Sequence, residues 1–399
     1  MRIAIVSDFY LDYVGGLQSS MLEQKAALEG AGHSVRLVSL ARDARGEMPG
    51  VALEIRPAFT VPGVILPVIA ARGALVARLR EYLGREAVDV VHTQTEFGLA
   101  HAATTAAHEL GIPVVHTVHT FYWQTTGIGP TLATPLMRVG LSDVIQGRIP
   151  RVRFVNRPSD NLLRNVTLAM ALRADTVVSP SAHQADDLHA AGVTGPVAVV
   201  PNPIADTGEP AQLLTPAQAA RPRLLWVARC EAEKRPLVFA RAAIEALART
   251  GNGFEVDFVG DGAELPQLRR LVDGQPGIHV HGGLERDTVI DLMDAASLVV
   301  LTSVGFDNQP MTIAEAATRY RGVLYCDPRL REGLTHSGYL AATPDAAGLA
   351  DAIVELSTSP ERLLELSVGA RRDSATFSAA TYVQRIMRAY DGAGAALRR

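Results

Sequence analysis

The chain has little from which to build a covalent or metal framework. Its 399 residues include two cysteines, Cys230 and Cys326, far apart and without metal-ligand spacing. That scarcity fits a reducing compartment. No excess of either charge is present: 38 basic against 42 acidic residues leave −4, which argues against a general nucleic-acid binder, and no nucleic-acid partner is expected. Long apolar runs are missing too. The longest, FTVPGVILPVIAARGALVARL, is broken by Pro62, Pro67 and Arg72, so no bilayer span is expected. MRIAIVSDFY holds too short an apolar stretch before Asp8 to make a secretory signal. The expectation is a cytoplasmic protein, with peripheral contact at the cytoplasmic face of a membrane left open. A GxGxxG fingerprint is also lacking, which lowers a dehydrogenase reading.

What is present is ordinary globular composition, 48% hydrophobic and 20% charged, in a chain long enough for two domains. RIAIVSD is an apolar run ending in an acid, the pattern of a buried parallel strand. SVRLVSL, VDVVHTQ and IPVVHTVHT repeat it with helical segments between them. After a proline-rich stretch from Pro201, a second alternating series starts at RLLWVARC and runs through FEVDFVGDG, IHVHGG, ASLVVLTS and VLYC. Alternation of this kind predicts α/β folding around mainly parallel sheets. The expected organisation is a domain over 1–200, a linker over 201–222, a second domain over 223–378, and a final helical segment over 379–399 that packs on either domain.

In such folds ligands bind beyond the carboxyl ends of strands, which selects four places. Gly15 and Gly16 precede a helix and let the backbone approach an anion, although a Gly-Gly turn serves geometry as readily. His119 follows the strand of VHTVHTF. Glu96, in VHTQTEFG after the neighbouring strand, is its expected companion in one crevice. In VARCEAEKRP, Arg229 and Lys234 stand at a strand end near a helix start, the cations of a diphosphate clamp, or else two surface charges. FVGDG adds Gly260. Finally, GFDNQPMTIAEA places Asp307 on a loop and Glu315 inside a helix. Glu315 lies too far in to offset the first-turn dipole but can accept both hydroxyls of a ribose, and Asp307 can reach a sugar just beyond a diphosphate, or else both are solvated acids.

Taken in order, the Gly-Gly loop, the histidine, VVSPS with VPNP, the Arg…Lys pair, FVGDG and the acidic pair resemble the retaining glycosyltransferase family 4-like enzymes, the phosphatidylinositol mannosyltransferase and glycogen synthase-like group. The resemblance implies two facing Rossmann-like domains, the GT-B fold, with the acceptor on the N-terminal side and a nucleoside-diphosphate sugar on the C-terminal side. It implies that Gly15 and Gly16 lie near the donor phosphate and the acceptor and that His119 contacts the donor sugar. Arg229 and Lys234 neutralise the diphosphate, Glu315 holds the ribose, and Asp307, where the family has glutamate, faces the transferred sugar. Gly260, Asn308 and Gln309 join the donor site, and Glu96 and Tyr122 stand on the acceptor side. The catalytic set is then His119, Arg229, Lys234 and Asp307. No metal and no cofactor are implied, the nucleotide sugar being a substrate.

The expected reaction moves a hexose from GDP-mannose or a UDP-sugar to a hydroxyl of a lipid or small-molecule acceptor. Seven arginines between Gln124 and Arg173, including Arg148, Arg151, Arg153 and Arg157, face only Asp143 and Asp160 in charge, and such a region suits an anionic membrane as well as a solvated loop. Rival readings are a sugar-nucleotide epimerase or hydrolase using Glu96 with His119, and a non-catalytic nucleotide-sugar-binding protein.

Overall fold

A computed structural model describes residues 1–11, 16–41, 50–61, 66–125, 127–204 and 210–397. The chain forms two compact units. The first comprises Met1–Pro203 with Ala379–Arg399, and the second Ile204–Ser378.

The first unit is built on β1 (Arg2–Ser7), β2 (Ser34–Leu40), β3 (Val51–Ile55), a short antiparallel hairpin of β4 (Phe59–Val61) and β5 (Leu66–Val68), then β6 (Val90–Thr93), β7 (Val114–Thr117), β8 (Thr176–Ser179) and β9 (Val197–Val199). Apart from the hairpin these strands form one parallel sheet in the order β3-β2-β1-β6-β7-β8-β9. β1 is apolar on both sides because both faces of the sheet are covered. Ala4 and Val6 pack toward helices Gly73–Arg85 and Gly98–Glu109. Ile3 and Ile5 pack toward helix Gly16–Gly30 and the last helix, Ala379–Leu397, which buries Tyr382, Ile386, Tyr390 and Ala393 against them.

The second unit repeats the plan with β10 (Arg223–Val227), β11 (Glu255–Val259), β12 (Ile278–Gly282), β13 (Leu298–Leu301), β14 (Gly322–Tyr325) and β15 (Gly338–Leu340). All pairings are parallel, in the order β12-β11-β10-β13-β14-β15, the doubly wound arrangement of a Rossmann-like sheet. Leu224, Trp226, Val256 and Phe258 face helices Pro236–Thr250 and Ala346–Ser357, while Leu225, Val259 and Val299 face helix Met311–Thr318. The proline-rich stretch contributes to this core: Leu214 and Ala219 are buried in it, and Thr215 caps the short helix Pro216–Ala220 with a capping box.

Candidate active site

In each sheet, strands on either side of one point wind in opposite directions, and loops leaving their carboxyl ends diverge there to open a crevice. The point lies between β1 and β6 in the first unit and between β10 and β13 in the second.

In the second unit three loops meet at that point. Gly260, just after β11, has φ +135°, and a Cβ there would stand 1.8 Å from the Ala228 carbonyl oxygen. Only glycine lets the two loops lie this close. Lys234 ends a single 3₁₀ turn, Ala232–Lys234, and Arg235 beside it takes the left-handed conformation before helix Pro236–Thr250. Thr302, just past β13, fixes this turn. Its hydroxyl donates to the Lys234 carbonyl (2.6 Å) and accepts from the indole of the buried Trp226 (3.0 Å).

The side chain of Lys234 pairs with the Asp307 carboxylate and lies 5.0 Å over the Phe306 ring. The other Asp307 oxygen accepts from the Ser303 hydroxyl. Both members of the pair are largely buried, at 15% and 9% side-chain exposure. Arg229 differs: it is 64% exposed and paired with Glu233 at 2.9 Å. Pro310 immediately precedes helix Met311–Thr318, and the Thr312 hydroxyl ties its first turn to the Val227 carbonyl at 3.2 Å. Glu315 lies in the body of that helix, and Asn308, Gln309 and Glu315 are all half-buried. Sequence reasoning assigned Asp307 and Lys234 separately to sugar and diphosphate. The structure joins them in one ion pair.

In the first unit, Gly16 opens helix Gly16–Gly30, and Gly15 lies outside the described residues. Asp8, buried just past β1, receives the Thr95 hydroxyl (2.7 Å) and the amides of Leu99 (2.6 Å), Phe97 (3.2 Å) and Ala100 (3.3 Å). It therefore holds the loop after β6 to the start of helix Gly98–Glu109. On that loop Glu96 is buried and accepts from Thr167 at 2.9 Å. Burial pushes its carboxyl up to about 8, with the Asp8 charge adding and the Thr167 hydrogen bond opposing.

His119 lies two residues beyond the end of β7. His116, inside β7, is fully buried. The His119 Nε2 stands 2.5 Å from the Gln94 Oε1, and burial pulls this imidazole down to about 4. Tyr122 is buried, donates its hydroxyl to Asp187 at 2.7 Å, stacks on His183 and carries the Arg164 guanidinium 5.4 Å above its ring.

One surface was not anticipated. Helix Gly129–Ile145 packs Met137, Leu141, Val144 and Ile145 against Phe97, Leu162 and Val166. Its opposite side carries Leu132, Leu136 and Val139, with Ile128 just before it, at 73%, 76%, 68% and 74% exposure. At 3.6 residues per turn these four share an arc of about 80°. Arg138 donates to the carbonyls of Ile149 (3.1 Å) and Pro150 (3.3 Å), folding the segment that bears the exposed Arg148, Arg151 and Arg153 back beside the helix. The i, i+4, i+8, i+11 spacing was the available signal, obscured by Pro130 and Pro135. Among the described residues, no helix is long and apolar enough to cross a membrane, and no group of three or more His, Cys, Asp or Glu is placed to hold a metal ion.

Comparison with known proteins adds the following. Residues 14–207 match the family model Glycosyltransferase Family 4, and residues 221–359 match Glycosyl transferases group 1. Over 398 residues the chain is 23% identical to an alpha-monoglucosyldiacylglycerol synthase of Acholeplasma laidlawii, covering 90% of this chain and 93% of that protein. The fold is similar to that of a sucrose-phosphate synthase from Thermosynechococcus elongatus (TM-score 0.68, 17% identity, 99% of each chain). It is also similar to that of Anabaena HepE in complex with UDP and glucose (TM-score 0.65, 18% identity, 97% of this chain and 98% of that one).

Proposed function

Because the chain is a glycosyltransferase of the GT-B fold related to Glycosyltransferase Family 4, we propose that it transfers a hexose from a UDP-sugar or GDP-mannose, with retention, to the hydroxyl of a lipid at an anionic membrane surface. The observation that carries the lipid acceptor is the helix Gly129–Ile145, apolar on both sides and bordered by exposed arginines. An exposed apolar ridge of this kind is expensive in water and favourable in a headgroup layer, and the adjacent positive charge favours anionic lipid. The similarity to a synthase named for a glucosylated diacylglycerol points the same way, and the UDP and glucose of HepE support a nucleotide-sugar donor.

In this reading Lys234 and Arg229 meet the diphosphate. Cleavage of the bond from the anomeric carbon to phosphate oxygen leaves positive charge on the sugar ring and an additional negative charge on the leaving nucleotide. Preorganised cations at that oxygen stabilise the transition state more than the ground state. Glu315 holds the ribose, and Gly260 lets backbone lie against the nucleotide. Asn308 and Gln309 read sugar hydroxyls, while Asp307 meets the sugar from its pairing with Lys234. The leaving phosphate takes the proton of the attacking hydroxyl on the same face, which yields retention without a protein nucleophile.

The test is a panel of UDP-glucose, UDP-galactose and GDP-mannose offered with diacylglycerol in phosphatidylglycerol vesicles, in parallel with soluble sugar acceptors. The expected product is a lipid heavier by one hexose residue, with the donor's anomeric configuration by NMR. Transfer to soluble acceptors alone, indifferent to vesicles, would overturn the lipid reading; an inverted product would overturn retention.

A further inference from the structure

We propose, resting on the reading that His119 faces the donor sugar, that Gln94 is the positioning residue of His119. Its side-chain carbonyl receives the imidazole Nε2–H and so holds the ring as a single tautomer, while the last helix of the chain fixes Gln94 from behind through buried hydrogen bonds.

Gln94 is fully buried, and its amide group has two N–H bonds to place. One goes to the Gln24 Oε1 at 3.0 Å and the other to the His92 Nε2 at 3.1 Å. The carbonyl oxygen is thereby turned to the His119 Nε2, 2.5 Å away. The amide atom facing His119 is the oxygen because both N–H bonds of Gln94 are taken up by Gln24 and His92. An oxygen acceptor requires the proton to sit on the His119 Nε2.

The atoms behind Gln94 agree with this setting. The Gln24 oxygen also accepts the Tyr382 hydroxyl at 2.9 Å, and the Gln24 amide donates to the Ser20 hydroxyl at 2.9 Å, which donates to Asn202 at 2.7 Å. His92, taking the Gln94 N–H on Nε2, carries its proton on Nδ1 and donates it to the Tyr390 hydroxyl at 2.9 Å. The Thr117 hydroxyl lies 2.6 Å from the same His92 Nε2 and shares its one lone pair with the Gln94 N–H. Turning Gln94 over would set its oxygen 3.0 Å from the Gln24 oxygen, two acceptors without a proton between them. Tyr382 and Tyr390 belong to helix Ala379–Leu397, so the final helix does more than cover the sheet: it sets the polar chain that ends on His119. Burial keeps His119 and His92 neutral at physiological pH, and a neutral ring has one proton to place.

The experiment uses the full chain labelled with ¹⁵N-histidine, and two-bond ¹H–¹⁵N correlation spectra assign the tautomer without any substrate. The expected result is an Nε2–H His119 in the wild type and a mixture of tautomers in Gln94→Leu. Kinetics with the donor that turns over are expected to show kcat about tenfold lower in Gln94→Leu and KM for the donor within about twofold. Tyr382→Phe, distant from the ring, is expected to lower kcat two- to threefold, which keeps the inference testable should Gln94→Leu fold poorly. An Nδ1–H tautomer in the wild type, or full kcat in Gln94→Leu while His119→Ala is impaired, would overturn the positioning role. Full turnover in His119→Ala would instead overturn the reading that His119 faces the donor, and the spectra still decide the pairing with Gln94.

Discussion

Lys234 and Asp307, 73 positions apart in the chain, form a largely buried ion pair at the carboxyl end of the second unit's sheet. Removing one partner from such a pair leaves a desolvated charge without compensation, at a cost of roughly 3 kcal/mol or more. Lys234→Ala is therefore expected to lower the unfolding free energy of the second unit by about 3 kcal/mol and kcat by about 10²-fold. Asp307→Asn, which keeps an acceptor for Ser303, is expected to lose less stability than Lys234→Ala. Calorimetry of the two variants checks this; equal melting temperatures for Lys234→Ala and wild type would contradict the pairing.

At Arg229 the proposed catalytic role can be tested apart from stability. Its side chain is 64% exposed and its ion pair with Glu233 lies at the surface, where such pairs contribute about 0–1 kcal/mol. Arg229→Ala is expected to melt with the wild type while losing ten- to hundredfold in kcat, as fits a cation that acts when charge develops on the diphosphate. Unaltered turnover with a confirmed donor would remove Arg229 from the clamp.

Glu96 gives the first unit a pH dependence of definite sign. Its folded-state pKa of about 8 lies above the ordinary 4.5, so the folded protein holds a proton that the unfolded chain has released. Across pH 4.5 to 8 the unfolded state binds fewer protons, and stability falls as pH rises through that window. Glu96→Gln removes this term while keeping an acceptor for Thr167. In urea titrations at pH 5 and pH 8 the variant is expected to gain a few kcal/mol on the wild type at the higher pH. Buried His92 and His116, held near 3, act in the opposite sense: their contribution is present above about 6.5 and is lost as pH falls toward 3. Parallel pH profiles for wild type and Glu96→Gln would show that Glu96 is ionised in the folded protein.

The exposed ridge is tested by Leu132→Asp with Leu136→Asp. Both side chains are about three-quarters exposed, so folding stability is expected to change by less than about 1 kcal/mol. Co-sedimentation with phosphatidylglycerol vesicles is expected to fall at least tenfold, with high salt weakening the wild type through Arg148, Arg151 and Arg153. Undiminished vesicle binding by the double variant would take the helix out of membrane contact.

Much of the architecture was legible because buried parallel strands write themselves as short, mostly apolar runs: RIAIVS, RLLWV and EVDFV each form a strand. The positions of Arg229, Lys234, Gly260, Asp307 and Glu315 relative to strand ends were legible for the same reason. Their pairings were not. Nothing local in Lys234 foretells Asp307, since the contact depends on strands that are adjacent in the sheet and distant in the chain. Gln94 drew no notice, because a glutamine after a strand has no periodic or charge signature and its meaning comes from Gln24, His92 and Tyr382 around it. The ridge on helix Gly129–Ile145 escaped because prolines at 130 and 135 read as breaks, whereas Pro130 occupies the first turn and Pro135 is carried inside the helix.

The return of the last helix has a consequence for synthesis on the ribosome. Domains emerging from a ribosome usually close in the order in which they are made. Here the second unit is one continuous segment, Ile204–Ser378, while the first lacks Tyr382, Ile386 and Tyr390 until the residues beyond that segment are made. Strand β1 therefore waits for its cover until the second unit has been made, and free chains truncated after residue 378 are expected to show a protease-resistant second unit beside a cleavable first.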